Sequence, residues 1–260
     1  MTNLRKYGDA PYTVAVLHGG PGAPGQMAPV ARRLAFDHGV LEPLQTASSI
    51  DGQVDELRAV LDEYGDLPVT LIGSSWGAWL GFIFAARYPD YAGKLILVGS
   101  GPFEERYAAG ITDTRMSRLT LSERALALTL LEILDDPDSS DRNRVLAQLG
   151  ELFTETDAYD PRTLDTETIA VDYDIHCSIW TEASELRRNG GLLELANDIR
   201  CPVMAIHGDY DPHPAEGVRK PLMRILPDFR FILLHECGHL PWIERRAREE
   251  FFGILRDELA

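Results

Sequence analysis

The chain is written as short apolar runs separated by stretches with helical spacing. Tyr12-Thr13-Val14-Ala15-Val16-Leu17, Leu67-Pro68-Val69-Thr70-Leu71-Ile72, Lys94-Leu95-Ile96-Leu97-Val98, Pro202-Val203-Met204-Ala205-Ile206 and Phe229-Arg230-Phe231-Ile232-Leu233-Leu234 are apolar, with β-branched residues among them. Such runs read as strands, Tyr12–Leu17 as a central one and Leu67–Ile72 as a buried one. Val40-Leu41-Glu42-Pro43-Leu44 is predicted to be brief or at an edge, because Pro43 cannot donate to a ladder. Between these runs the apolar positions take helical spacing: Met27, Val30, Leu34 and Ala35 within residues 26–38, then Val54, Leu57, Val60 and Leu61 behind a Ser49 cap. Residues 78–88 are apolar on most sides, and further helices are predicted over 215–226 and 243–259. Strand–helix alternation of this kind implies an α/β fold, a mostly parallel, doubly wound sheet with helices on both faces.

The alternation stops at Gly99-Ser100-Gly101-Pro102. From Phe103 to Asn197 the pattern is amphipathic and helical, with helices predicted over 119–134, 145–153 and 175–195 and breakers at Pro137, Pro161 and Gly190-Gly191. The expected organisation is a core of residues 1–102 and 198–260 carrying residues 103–197 as an inserted helical cap over the carboxyl edge of the sheet. No internal repeat or low-complexity tract interrupts it.

The strand ends carry the candidate chemistry. Gly73-Ser74-Ser75-Trp76-Gly77 lies between an apolar run and an apolar helix, the context of a nucleophile elbow. A sharp turn strains its central residue, and a side chain at either glycine would strike the neighbouring strand or helix. A hydroxyl nucleophile needs a base, and the base needs a partner that fixes its tautomer. Gly208-Asp209-Tyr210-Asp211-Pro212 and Gly238-His239-Leu240-Pro241 follow the last two strands and supply both, in the order Ser, Asp, His. Asp211 is preferred as the acid, with Asp209 its competitor. His239 is preferred as the base over His235, which ends a strand instead of following a turn glycine. His207 and His213 read by default as core or surface residues, and His213 stands close enough to Asp211 to line the mouth of the site. Cys237 reads as a packed small residue.

Negative charge on a tetrahedral intermediate needs two N–H donors. Trp76, directly after the nucleophile, is one candidate. The other is in His18-Gly19-Gly20-Pro21-Gly22, where Gly20 is preferred and Gly19 is the alternative. Trp76 and Trp79 are one helical turn apart and read at least as well as packing; Trp76 is the better candidate to line a pocket.

Composition narrows the partners. Of 260 residues, 41 are Asp or Glu and 25 Lys or Arg, a formal net charge of −16 that argues against nucleic acid and anionic membranes. Three cysteines, Cys177, Cys201 and Cys237, lack CxxC spacing and read as reduced thiols, not as a disulfide framework or a metal site. With a polar N-terminus and no membrane-length apolar run, a cytoplasmic protein is expected. No metal and no cofactor is implied, and the sequence does not fix oligomeric state.

Taken together, His18–Gly22, Gly73–Gly77, Gly208–Asp211, Gly238-His239 and the insertion resemble the α/β-hydrolase family over nearly the whole chain. Within it, His-Gly-Gly-Pro-Gly followed by Gly-x-Ser-Trp-Gly is similar to the proline iminopeptidase group. That resemblance implies a helical cap whose acidic side chains hold a substrate amino group, and Glu182 and Glu185 are the candidates here. Two departures stand out. Glu42-Pro43-Leu44-Gln45-Thr46 replaces the group's Asp-Gln-Arg-Gly-x-Gly loop, and about ten residues precede the Tyr12 run, too few for the group's opening hairpin. The expectation is therefore a serine hydrolase acting on a small ester, thioester or amide. An aminopeptidase on short peptides and a ligand-binding protein of the same fold with little turnover are the alternatives; the elbow serine argues against a dehalogenase.

Overall fold

The period-2 alternation of the central runs sorts their side chains onto two faces. Ala15, Leu17, Leu71, Leu95 and Leu97 face one buried cluster, while Val14, Val16, Ile72, Ile96 and Val98 face another. Burying each such side chain contributes about 1.5–3 kcal/mol, and the helices that do so lie on both sides of one sheet. The computed structural model describes residues 3–162 and 169–260. Its strands are β1 (Leu4–Tyr7), β2 (Tyr12–Leu17), β3 (Gly39–Pro43), β4 (Val69–Ser74), β5 (Ala92–Val98), β6 (Val203–Gly208) and β7 (Phe229–Leu234), in the spatial order β1-β3-β2-β4-β5-β6-β7. β1 pairs antiparallel with β3, and the other pairings are parallel.

Helices α1 (Ala28–Leu34), α2 (Ile50–Tyr64) and α3 (Trp76–Arg87) follow the early strands. Ser49 caps α2, its side chain accepting from the Gly52 N–H at 3.1 Å. α3 is buried along its length through Ala86, as its all-round apolar sequence requires. Between β5 and β6 the described residues form α4 (Ile111–Arg118), α5 (Leu121–Asp135), α6 (Arg142–Asp157), α7 (Tyr173–Arg188) and α8 (Gly191–Glu194), with 3-10 turns at Glu105–Tyr107 and Leu195–Asp198. This insertion has a small core of its own, in which Ala127, Leu130 and Leu134 of α5 meet Val145, Leu149 and Leu152 of α6. A capping box starts α5: Thr120 Oγ1 accepts from the Glu123 N–H, and Glu123 accepts from the Thr120 N–H at 2.8 Å. Residues 163–168 of the expected insertion lie outside the described residues. α9 (Glu216–Ile225) and α10 (Arg248–Leu259) complete the core. No helix among the described residues is long and apolar enough to cross a membrane.

Four elements differ from expectation. β3 is brief but not at an edge: it lies fully buried between β1 and β2, and Pro43 is tolerated because it is the last residue of the strand. Leu4–Tyr7 forms an edge strand that pairs with β3 and makes no hairpin with β2. α4 has Ile111 as its buried residue, so it carries no apolar stripe to read. The closing helix starts at Arg248, five residues later than predicted, after a short 3-10 turn at Pro241–Ile243.

Candidate active site

Ser75 joins β4 to α3 with φ +53° and ψ −112°, a strained conformation that costs roughly 1–3 kcal/mol and persists only where its surroundings enforce it. Two glycines let those surroundings close in. A Cβ at Gly73 would overlap the Gly77 carbonyl, and one at Gly77 would stand 2.6 Å from the His18 oxygen. The turn is thus wedged between the end of β2 and the first turn of α3. The Ser75 N–H donates to Val98 O at 2.9 Å, tying the elbow to the end of β5.

The loops after β6 and β7 meet at a carboxylate. Asp211 is buried, and its Oδ2 accepts a hydrogen bond from His239 Nδ1–H at 2.7 Å. The His239 ring lies on Gly99, where a Cβ would come within 3.2 Å of its Nδ1. Gly99 follows Val98, the acceptor of the Ser75 amide, so the imidazole stands beside the elbow. Burial alone would push the His239 imidazole down. The Asp211 charge and hydrogen bond, helped by Asp157, outweigh it and hold the pKa above the ordinary value of 6.5. Burial would likewise push Asp211 up, but His239, His213 and His207 around it hold its carboxyl well below the usual range. With Nδ1 engaged, the Nε2 lone pair of His239 is the one left to take a proton.

The loop after β2 closes the other side. Gly19 abuts the elbow, since a Cβ there would meet the Ser75 Cβ at 3.0 Å. Its N–H donates to Gln26 Oε1 at 3.0 Å. Gly20, at φ +45°, has an N–H that no hydrogen bond among the described residues takes. Trp76 is the first residue of α3, where an amide has no carbonyl of its own helix to bond. His18 is fully buried, and burial pushes its imidazole down to about 4, so it is neutral at pH 7.

The remaining sequence candidates fall outside this arrangement or take other places in it. Asp209 accepts from His235 Nδ1–H at 3.1 Å and from the Cys237 N–H at 3.3 Å, and the His235 side chain is 83% exposed. Cys237 is buried, and burial followed by the Glu244, Asp211 and Asp209 charges pushes its thiol up, away from a nucleophilic thiolate. Glu182 accepts from the Ile50 N–H at 2.9 Å at the start of α2, and Glu185 is an exposed residue paired with Arg188 at 2.9 Å. Trp76 donates to Gln53 Oε1 at 2.9 Å, Trp79 to Gly101 O at 3.1 Å, and Trp180 of α7 packs edge-on against both rings. His213 sits against Asp211 itself, its Nδ1–H and backbone N–H both donating to Oδ1 at 2.8 Å.

Ligating atoms of Asp211, His213 and His239 all lie within 4.8 Å of one another. Contacts of 2.7 and 2.8 Å are those of N–H···O bonds. An ion bonded to both atoms at about 2.0–2.2 Å in tetrahedral geometry would part them to roughly 3.4 Å.

Sequence reading missed the residues that hold the His239 loop. The His239 N–H donates to Asp157 O at 2.9 Å, at the end of α6, and Arg115 grips the Asp157 carboxylate through two nitrogens. Glu244, fully buried, accepts from the N–H groups of Gly238 (2.7 Å), Tyr159 (2.9 Å) and Asp160 (2.8 Å). Arg118 lies over the Tyr210 ring at 3.7 Å and donates to Tyr210 O at 2.7 Å. The one available signal was that Glu244 is a carboxylate five residues after His239 in an apolar neighbourhood.

A sequence profile described as the alpha/beta hydrolase family matches residues 14–252. The chain belongs to that family. Among curated relatives, a 2-hydroxy-6-oxononadienedioate/2-hydroxy-6-oxononatrienedioate hydrolase of Paraburkholderia phymatum is 26% identical over 217 residues, covering 82% of this chain and 70% of the relative. A pimeloyl-[acyl-carrier protein] methyl ester esterase of Nitrosomonas europaea is 27% identical over 205 residues, 75% of each chain. Among solved structures, the proline iminopeptidase of Mycobacterium smegmatis superposes with a TM-score of 0.64 at 22% identity, covering 98% of this chain and 93% of the other. The last likeness is one of fold.

Proposed function

We propose that this alpha/beta hydrolase is a serine hydrolase that cleaves a small ester, thioester or amide through an acyl-enzyme. Ser75 Oγ attacks the carbonyl carbon while His239 Nε2 takes its proton. Asp211 holds the imidazole in the Nδ1–H tautomer and stabilises the imidazolium that forms. The Gly20 and Trp76 N–H groups receive the oxyanion, each donor contributing about 3–4 kcal/mol to barrier lowering. His239 then returns the proton to the leaving group, and a water deprotonated by the same nitrogen releases the acyl group. Residues 103–197 serve as the cap that shapes the substrate space.

The observation that carries this reading is the 2.7 Å Asp211–His239 bond, seated on Gly99 next to the strained Ser75. Gly20 is favoured over Gly19 because the Gly19 N–H is already spent on Gln26. For the substrate, an ester or uncharged acyl group is favoured over a peptide amino terminus. Of the two acidic side chains that would hold an ammonium, Glu182 is occupied by a helix N-terminus and Glu185 by Arg188. The test is a side-by-side panel of short p-nitrophenyl acyl esters and aminoacyl arylamides. We expect ester kcat/KM at least tenfold above that of any aminoacyl arylamide. The reverse order would restore the aminopeptidase alternative, and no turnover of either class would favour the ligand-binding one.

A further inference from the structure

Asp211 is bracketed by three imidazoles, and only one of them has a place in the reaction described above. His213, two residues on, donates twice to Oδ1, through its backbone N–H and through Nδ1–H, each at 2.8 Å. The same ring stacks on His239, with centroids 4.5 Å apart and 27° between the planes. His207 Nε2–H donates to His213 O at 2.8 Å and lies 3.4 Å from Asp211 Oδ2, so the backbone of residue 213 is itself held from below.

We propose that His213 is a positioning residue, a clamp that reserves one oxygen of Asp211 for His239 and covers one face of the His239 ring. The proposal rests on the Ser75–His239–Asp211 reading. The carboxylate of such a triad must offer one oxygen to the base without rotating away, and two donors from a single residue to the other oxygen prevent that rotation. Ring contact on one face similarly fixes the plane in which His239 swings. His213 touches neither the nucleophile nor, on this reading, the substrate; it acts through Asp211 and His239.

The clamp has an electrostatic consequence. Two N–H groups directed at Oδ1 draw charge from the carboxylate, so His239 holds its proton less tightly than it would against an unclamped Asp211. Charged and titratable groups facing this cluster are His207 on β6, Asp157 and Arg115 from the insertion, and His239 across the stack. Burial pushes His213 down to about 4, so near neutrality it is an uncharged donor and does not compete with His239 for a proton.

The test separates the donor from the ring. His213→Phe keeps an aromatic face on His239 and removes the Nδ1–H; His213→Asn puts an amide N–H where Nδ1–H stood and removes the ring. The His239 imidazole is titrated by 1H–15N NMR in the parent and both variants, with His239→Gln assigning the resonance, a readout that needs no turnover. We expect His213→Phe to raise the His239 midpoint by about half a pH unit or more. The same variant should lower ester kcat at least about fivefold with KM within about twofold. His213→Asn should return the midpoint to the parental value. If His213→Phe titrates at the parental pH, or if both variants shift alike, the clamp is refuted. His213→Leu, which is smaller, replaces His213→Phe should the latter not fold. Failure of Ser75 to react with a fluorophosphonate in the parent would overturn the hydrolase reading, and the titration would still report on the clamp.

Discussion

Replacing Asp211 with Asn changes one atom and leaves the loop's shape intact, so its effect can be worked from the hydrogen bonds alone. Oδ1 accepts two donors from His213, and Oδ2 accepts His239 Nδ1–H at 2.7 Å. The asparagine amide has one acceptor and one NH2. If the NH2 faced His213 it would oppose two donors, so the carbonyl takes that side and the NH2 turns to His239. Nδ1 must then accept, and the imidazole proton moves to Nε2. An Nε2–H cannot take a proton from Ser75. Holding the wrong tautomer in such a triad costs about 10⁴-fold in kcat, equivalent to roughly 5.4 kcal/mol of barrier. Asp209→Asn is the internal control, since Asp209 serves an 83% exposed His235 and one long backbone contact; its loss should be within about threefold. Steady-state hydrolysis of a short p-nitrophenyl ester, with circular dichroism to confirm folding, reads both variants. The reasoning is refuted if folded Asp211→Asn keeps activity within tenfold of the parent, or if Asp209→Asn carries the larger loss.

Three further outcomes follow from the same contacts. Gly77→Ala would place a methyl 2.6 Å from the His18 oxygen; overpacking of this kind costs about 1–3 kcal/mol, which at about 2–4 °C per kcal/mol should lower the thermal midpoint by several degrees, and an unchanged midpoint would show that the elbow is not wedged. Ester kcat/KM should fall as pH drops through the His239 pKa, because in the proposed reaction only a neutral imidazole could accept the Ser75 proton, and the Asp211 pairing puts that midpoint above about 6.5; a midpoint below 6 would contradict the pairing. Glu244→Ala strands the Gly238, Tyr159 and Asp160 N–H groups and should destabilise the fold by about 2–5 kcal/mol in chemical denaturation, whereas a neutral result would mean the insertion is not anchored to the His239 loop through this carboxylate.

What the sequence made legible was whatever local pattern determines. The run Phe229–Leu234 is a strand at the predicted bounds because a short apolar run with two phenylalanines and Ile232 favours the extended chain. The strained turn at Ser75 was readable because its two glycines report a steric demand, and the meeting of Asp211 with His239 because strand ends converge at one edge of a parallel sheet. Pairings set by distant chain were not readable. Glu182 offered itself as a substrate contact, yet its partner is an amide 132 positions away. Glu244 and Asp157 act on the His239 loop from elements that only the folded topology brings together. His213 was placed near Asp211 from its spacing, but the bidentate grip and the stack on His239 depend on how the loop after β6 turns. α4 was missed because a surface helix with one buried residue leaves no periodic stripe.

The central claim is that Ser75 is an activated nucleophile. Intact-mass and peptide mass spectrometry after exposure to a fluorophosphonate tests it most directly. One adduct per chain on Ser75, absent from Ser75→Ala and strongly slowed in His239→Gln, is the predicted result; folded protein that takes no label, or takes it on another residue, would contradict the account.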